Sequence, residues 1–202
     1  MSEAFPATRV GADGRARCAW VGTDPEYARY HDEEWGVPLH GDRALFEKLS
    51  LEGFQAGLSW ISILSRRPGF REAFHGFDPA LVAALTDDDV ERLMLDERII
   101  KNRAKILATI SNAAITLELT RSQPGALDDL MWSFAPPKRA GSPGRPTALS
   151  ELPAVTSEST ALSSALRALG YRFVGPTTMY ALMQSAGMVD DHVAGCWRAV
   201  GG

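Results

Sequence analysis

Residues 86–120 read TDDDVERLMLDERIIKNRAKILATISNAAITLELT, and their reading decides the fold. Thr86 offers an N-capping hydroxyl, and Asp87, Asp88 and Asp89 fill the turn after it, where carboxylates complement a helix dipole. From Asn102 onward Ile106, Leu107, Ile110, Ala113, Ala114 and Leu117 keep helical spacing. The stretch is therefore expected to be a helix, a short turn and a second helix.

The same signals recur on either side. Thr23-Asp24-Pro25 places a cap before a proline at the first helical position, and Gly36 with Pro38 stops that helix. Asp42 is expected to cap a longer helix carrying Leu45, Phe46, Leu49, Phe54 and Leu58, ending before Pro68-Gly69. Asp78-Pro79 opens a short helix over 80–85, Gly170 closes one over 157–169, and Gly187 closes one over 176–186. Period-2 alternation is hard to find, so the expected fold class is all-α. Residues 136–146, rich in Pro, Gly and basic side chains, are expected to be a flexible loop. The first seventeen residues lack the apolar run of a signal peptide and are expected to be a flexible tail.

Composition narrows the function classes. With 202 residues, 45% hydrophobic and 23% charged, the chain has the balance of an ordinary globular protein with a real core. Nothing approaches eighteen consecutive apolar residues, which excludes a helical membrane span. Two cysteines exclude a disulfide scaffold and favour a reducing cytoplasm. Lys+Arg is 21 against Asp+Glu 25, a net charge of −4, so any DNA-binding face must gather its basic residues on one side.

The two cysteines each have a histidine nearby: Cys18 with His31, and Cys196 with His192 as H-x3-C. Four apart on a helix, the second pair would share a face, and two thiolates with two imidazoles make a closed tetrahedral zinc set of the structural kind. The bland alternative is a buried free cysteine at each end and two unrelated histidines. Trp20, Tyr27, Tyr30, Trp35 and Trp60 crowd the first third of the chain with Glu52, which sits on an apolar helix where a lone carboxylate is expensive. Core aromatics and a solvated Glu52 are the simpler reading. The functional one is a slot that stacks a flat ring and accepts its hydrogen bonds.

The strings CAWVGTDPEYARYHDEEWGVPLHGD, LFEKLSLEGFQAGLSWISIL, VERLMLDERIIKNRAKILATISNA and YRFVGPTTMYALMQSAGMVDDHVAGC resemble the DNA-3-methyladenine glycosylase I family, in order, over Arg17 to Cys196. The resemblance implies an all-helical helix-hairpin-helix glycosylase fold, with residues 18–202 one catalytic unit of two helical lobes and the DNA-binding hairpin at 87–120. It implies one structural zinc on Cys18, His31, His192 and Cys196. Glu52 matches the base-recognising glutamate, Tyr30 and Trp60 match pocket aromatics, and Trp20, Tyr27 and Trp35 match further aromatics near them. Gly57 and Leu58 match the loop that enters the duplex beside the extruded nucleotide. Lys101, Arg103 and Lys105, around the start of the helix at Asn102, are expected to face phosphates. The implied activity is hydrolysis of the N-glycosidic bond of N3-methyladenine in double-stranded DNA by a monomer that flips the base and releases free 3-methyladenine. No lysine matches a pocket position, so strand cleavage through a Schiff base is not expected. Asp129 and Asp190 are candidates for positioning water only by residue type. The rival readings are a zinc-stabilised DNA-binding module without catalysis and a glycosylase for a different base.

Overall fold

The computed structural model describes residues 6–137 and 145–199. It corrects the expected flexible tail: β1 (Thr8–Val10) pairs antiparallel with β2 (Ala16–Cys18), Thr8 opposite Cys18. Residues 11–15 turn the chain, and the Arg17 guanidinium clamps Asp13 and Asp32 from the second strand. Strands of three residues are too short to show alternation. Most of the expected loop at 136–146 lies outside the described residues.

Ten α-helices and three short 3-10 turns make up the rest of the regular structure among the described residues. α1 (Pro25–Glu33) starts as expected, with Asp24 accepting from the Tyr27 N–H. α2 (Asp42–Gln55) is buried on nearly every side. Two expectations about it fail. Asp42 lies inside the helix rather than capping it, and its carboxylate accepts from the N–H groups of Gly125, Leu127 and Asp128 at the start of a later helix. Nor does α2 run on through Leu58. It stops at Ala56, Gly57 takes a positive φ of 86°, and α3 (Trp60–Leu64) and α4 (Arg67–Ala73) follow. Pro68 falls in the first turn of α4, where its missing N–H costs no hydrogen bond.

α5 (Pro79–Ala83) is capped by Asp78. α6 (Asp87–Leu95) has a full capping box between Thr86 and Asp89, a device worth about 1 kcal/mol. α7 (Arg103–Arg121) is capped by Asn102, so residues 87–121 fold as two helices joined by the turn 96–102. α8 (Ala126–Trp132), α9 (Ser157–Ala168) and α10 (Pro176–Ser185) complete the chain. α7 packs on α2 and α5, and α10 on α2 and α9, around one core that includes Phe46, Phe54, Phe70, Phe74 and Phe77. Each of these rings contributes about 1.5–3 kcal/mol by leaving water. No helix among the described residues is long and apolar enough to cross a membrane. Central burial of α2 is what fixes the site, because Lys48 and Glu52 project from it one turn apart.

Candidate base pocket and metal centre

Cys18, His31, His192 and Cys196 come together from opposite ends of the chain, all buried, with their ligating atoms within 4.8 Å of one another. β2 supplies Cys18 and α1 supplies His31. His192 and Cys196 do not lie on a helix, contrary to the reading of their spacing. A turn with Gly195 at φ 81° and the Cys196 N–H on the Val193 carbonyl folds them onto one centre.

Cys196 Sγ lies 3.4 Å from His31 Nε2 and 3.6 Å from His192 Nδ1, and Cys18 Sγ lies 3.8 Å from His192 Nδ1. Tetrahedral zinc with ordinary Zn–S and Zn–N bonds has S···N edges of about 3.6 Å. The donor set therefore fits such an ion. The hydrogen bond from Cys18 pulls Cys196 far below the ordinary thiol range, and the same bond together with burial raises Cys18. Only a cation at the centre would let both thiols ionise.

The supporting shell was not foreseen. His31 Nδ1 meets Asp32 Oδ1 at 2.8 Å, which orients the ring and leaves Nε2 for the cluster. Asp32 also accepts from Arg17 and from Trp197 Nε1. Burial works to raise the Asp32 pKa, but Arg17, His31 and Trp197 hold it below its ordinary value. The sequence signal was there: Asp32 directly follows His31.

The aromatics gather as expected. Tyr30 and Trp60 are buried with ring centroids 5.4 Å apart, and Tyr27 lies 6.4 Å from Tyr30. Trp20 packs on Tyr27 at 5.0 Å and on Trp35 at 5.1 Å. Trp35 also meets His192 edge-on at 4.6 Å, so these two indoles bridge the ring cluster to the metal centre.

Glu52 is not a solvated residue. It is 3% exposed, its Oε1 accepts from the Ser185 hydroxyl at 2.9 Å, and its buried Oε2 has no partner. The buried Trp60 Nε1 is also unpartnered. Burial raises the Glu52 pKa to about 7, against the pull of Lys48 and of the Ser185 hydrogen bond. A buried carboxylate with a free lone pair, among rings, is poised to accept a hydrogen bond from a flat ligand.

Lys48 corrects the expectation of a pocket without lysine. It is 7% exposed, with Nζ over the rings of Tyr30 and Trp60 at 5.2 and 5.5 Å from their centroids. Burial lowers its pKa, opposed by Glu52 and Glu34. Its i,i+4 spacing to Glu52 was the missed signal. Asp129 and Asp190 lie elsewhere: Asp129 accepts from Gln123, and Asp190 pairs with Arg145 beside His192.

At the surface, Leu58 is 43% exposed in the loop after α2, following Gly57 with its positive φ. Lys105 is not a surface cation. It is 8% exposed, and its Nζ donates to the carbonyls of Phe54 and Ala56, at 2.9 and 2.7 Å, closing the C-terminal end of α2. The helical register turns it inward, which removes it from the phosphate-facing set. Lys101 and Arg103 remain exposed, with Glu97 at 3.9 Å and Glu91 at 2.7 Å as their acidic partners.

Known proteins are similar to this chain in sequence and in backbone. The Methyladenine glycosylase family pattern matches residues 20–199. DNA-3-methyladenine glycosylase 1 of Escherichia coli (strain K12) is 48% identical over 180 residues, 89% of this chain and 95% of the relative. A crystal structure of 3-methyladenine DNA glycosylase I superposes with a TM-score of 0.83 at 45% identity, covering 90% of this chain and 98% of that one. A variant of 3-methyladenine DNA glycosylase I in complex with 3-methyladenine superposes at 0.80 with 35% identity, over 89% of this chain and 95% of its own. Match along nearly the whole length, in sequence and in backbone, leaves one conclusion: the chain belongs to the methyladenine glycosylase family.

Proposed function

We propose that this chain hydrolyses the N-glycosidic bond of N3-methyladenine in double-stranded DNA, releasing the free base and leaving an abasic site. The observation that carries this reading is Glu52: a buried carboxylate with an unpartnered oxygen, set among Tyr30 and Trp60. Relatives named for this activity, and one bound to 3-methyladenine, support the choice of base.

N3-methyladenine in DNA is cationic and already a good leaving group, so no side chain has to protonate it. The work of the protein is to extrude the nucleotide, hold the ring and stabilise positive charge at the sugar until water attacks. Extrusion costs a few kcal/mol. A cationic ring on Trp60 gains about 0.5–2 kcal/mol. Ionised Glu52 accepts from the exocyclic amino group and favours a positive ring. Lys48 balances that carboxylate before the base enters and must give up its place over the rings as the base docks. Ordinary adenine has the same amino group, so selectivity comes from charge, from room for the methyl group and from the weakness of the lesion's own bond.

Cys18, His31, His192 and Cys196 would hold one zinc, whose contribution is to tie the two ends of the chain together. Trp20, Tyr27 and Trp35 would add further aromatic surface beside the base pocket. Gly57 and Leu58 enter the duplex, with Lys101 and Arg103 toward phosphates. We read the protein as a cytoplasmic monomer of the monofunctional kind, with Lys48 over the pocket rings acting as the counter-charge of Glu52 and not as a nucleophile.

The test is chromatography of bases released from methylated duplex DNA. Free 3-methyladenine without strand scission supports this reading. Release of another base supports a glycosylase of different preference, and binding without release supports a zinc-stabilised binding module.

A further inference from the structure

One exposed aromatic is left outside the pocket. Phe173, in the turn between α9 and α10, has a φ of 57°, a left-handed conformation that strains any side chain with a Cβ. Among the described residues the other non-glycine residues with positive φ are His75, which is a polar exposed residue, and Phe77, which is fully buried, so core packing offsets its strain. Phe173 lacks that burial. It is 38% exposed, the only aromatic among the exposed large hydrophobics of the described residues.

Specific contacts hold it there. Asn112 of α7, itself buried, grips the backbone of Arg172 from both sides: Nδ2 donates to the carbonyl at 3.0 Å and Oδ1 accepts from the N–H at 2.9 Å. Gly53 of α2 lies directly beneath the turn: a Cβ there would be in van der Waals contact with Phe173 Cβ at 3.4 Å. Lys105 Nζ sits 6.0 Å from the centre of the Phe173 ring while holding the carbonyls of Phe54 and Ala56. One ammonium therefore ties the strained aromatic to the loop that carries Leu58. Arg172, next to it, is exposed, and its guanidinium has no ion pair among the described residues.

We propose that Phe173 is a second DNA-contacting side chain beside the Leu58 loop, stacking on the base that loses its partner when a nucleotide is extruded, with Arg172 toward the adjoining phosphate. Flipping one nucleotide exposes two apolar surfaces, the gap it leaves and the face of the orphaned base opposite. Leu58 can fill only one of them. An aromatic ring stacks on any base, so this contact is independent of sequence. The proposal rests on the glycosylase reading.

The test uses a duplex with a tetrahydrofuran abasic analogue opposite 2-aminopurine, whose fluorescence is quenched by stacking. With the wild-type protein the signal should fall on binding. With Phe173→Gly and Phe173→Ala it should stay near that of the free duplex, while affinity drops about tenfold. Phe173→Gly should melt no lower than wild type, because glycine relieves the backbone at that position. Arg172→Gln should weaken binding and flatten the salt dependence while leaving the quenching of the bound complex intact. Full quenching with Phe173→Gly, or a lower melting temperature with unchanged affinity, would overturn the proposal and make Phe173 a structural residue of its turn. The readout needs no catalysis, so failure to release any base from methylated DNA would count against the glycosylase reading alone.

Discussion

Lys105→Met separates two accounts of one residue. Methionine keeps an unbranched chain of similar reach and loses the ammonium. In the structure that ammonium donates to the Phe54 and Ala56 carbonyls at 2.9 and 2.7 Å, and Lys105 is 8% exposed. Burial lowers its pKa, so these bonds are what keep a charge in a half-dry place. A hydrogen bond involving a charged group contributes about 1.5–3 kcal/mol, and two that share one cation, with water able to replace part of the loss, come to about 2–4 kcal/mol. For a chain of this size that is a fall of about 4–16 °C in melting temperature. Loss of the anchor frees the loop carrying Gly57 and Leu58, so excision should drop further on duplex than on single-stranded methylated DNA. The salt dependence of duplex binding should not change. Thermal denaturation and binding titrations at several salt concentrations read both effects. An unchanged melting temperature, with a slope of log K against log salt flattened by roughly 0.9, would refute the reasoning and return Lys105 to the phosphates.

Other consequences follow from the same geometry. Because burial raises the Glu52 pKa to about 7, its contribution to stability is complete below about 4.5 and lost as pH rises through about 7, about 3 kcal/mol in all. Glu52→Gln should therefore lose less stability over that range in denaturant titrations, while wild-type excision rises with ionisation about a midpoint near the same pH. Asp32→Asn should weaken zinc binding by about 10–100-fold in chelator competition with its tertiary structure retained, since it orients His31. Cys196→Ser should lower the melting temperature of metal-loaded protein before it alters base preference, and an equally stable variant would deny the centre a structural role. The double variant Lys101→Ala, Arg103→Ala should flatten the salt slope of duplex binding; an unchanged slope would place the phosphate contacts elsewhere.

Periodicity and caps made most helices legible. Thr86 with its three aspartates, Asn102, and Asp24 before Pro25 are local devices, and local devices are written in adjacent residues. The failures share a cause. Asp42 looks like the cap of its own helix but caps α8, more than eighty residues away. The end of α2 depends on Lys105 from α7 and on a positive φ at Gly57, neither visible as a break in the apolar pattern. The short pairing of residues 8–10 with 16–18 is held by Arg17 between two carboxylates rather than by alternation.

The site was legible in the same uneven way. Cys18, His31, His192 and Cys196 were identifiable because cysteine is scarce here, and Glu52 because its neighbours are apolar. Lys48, Ser185 and Asp32 were missed although two of them lie close in sequence to residues already singled out. Their importance comes from burial, and burial of a polar side chain is decided by what packs over it. Ser185 reaches Glu52 from α10, which no spacing rule predicts.

The central claim is that the Glu52 slot reads a cationic methylated base. Its most direct measurement is single-turnover release of 3-methyladenine from methylated duplex DNA by wild type and by Glu52→Gln, with adenine release followed in the same reaction. The account predicts release of 3-methyladenine and not adenine by wild type, slowed by about 10–150-fold in the variant as a charged hydrogen bond of about 1.5–3 kcal/mol is lost. Equal release by the two proteins would contradict it.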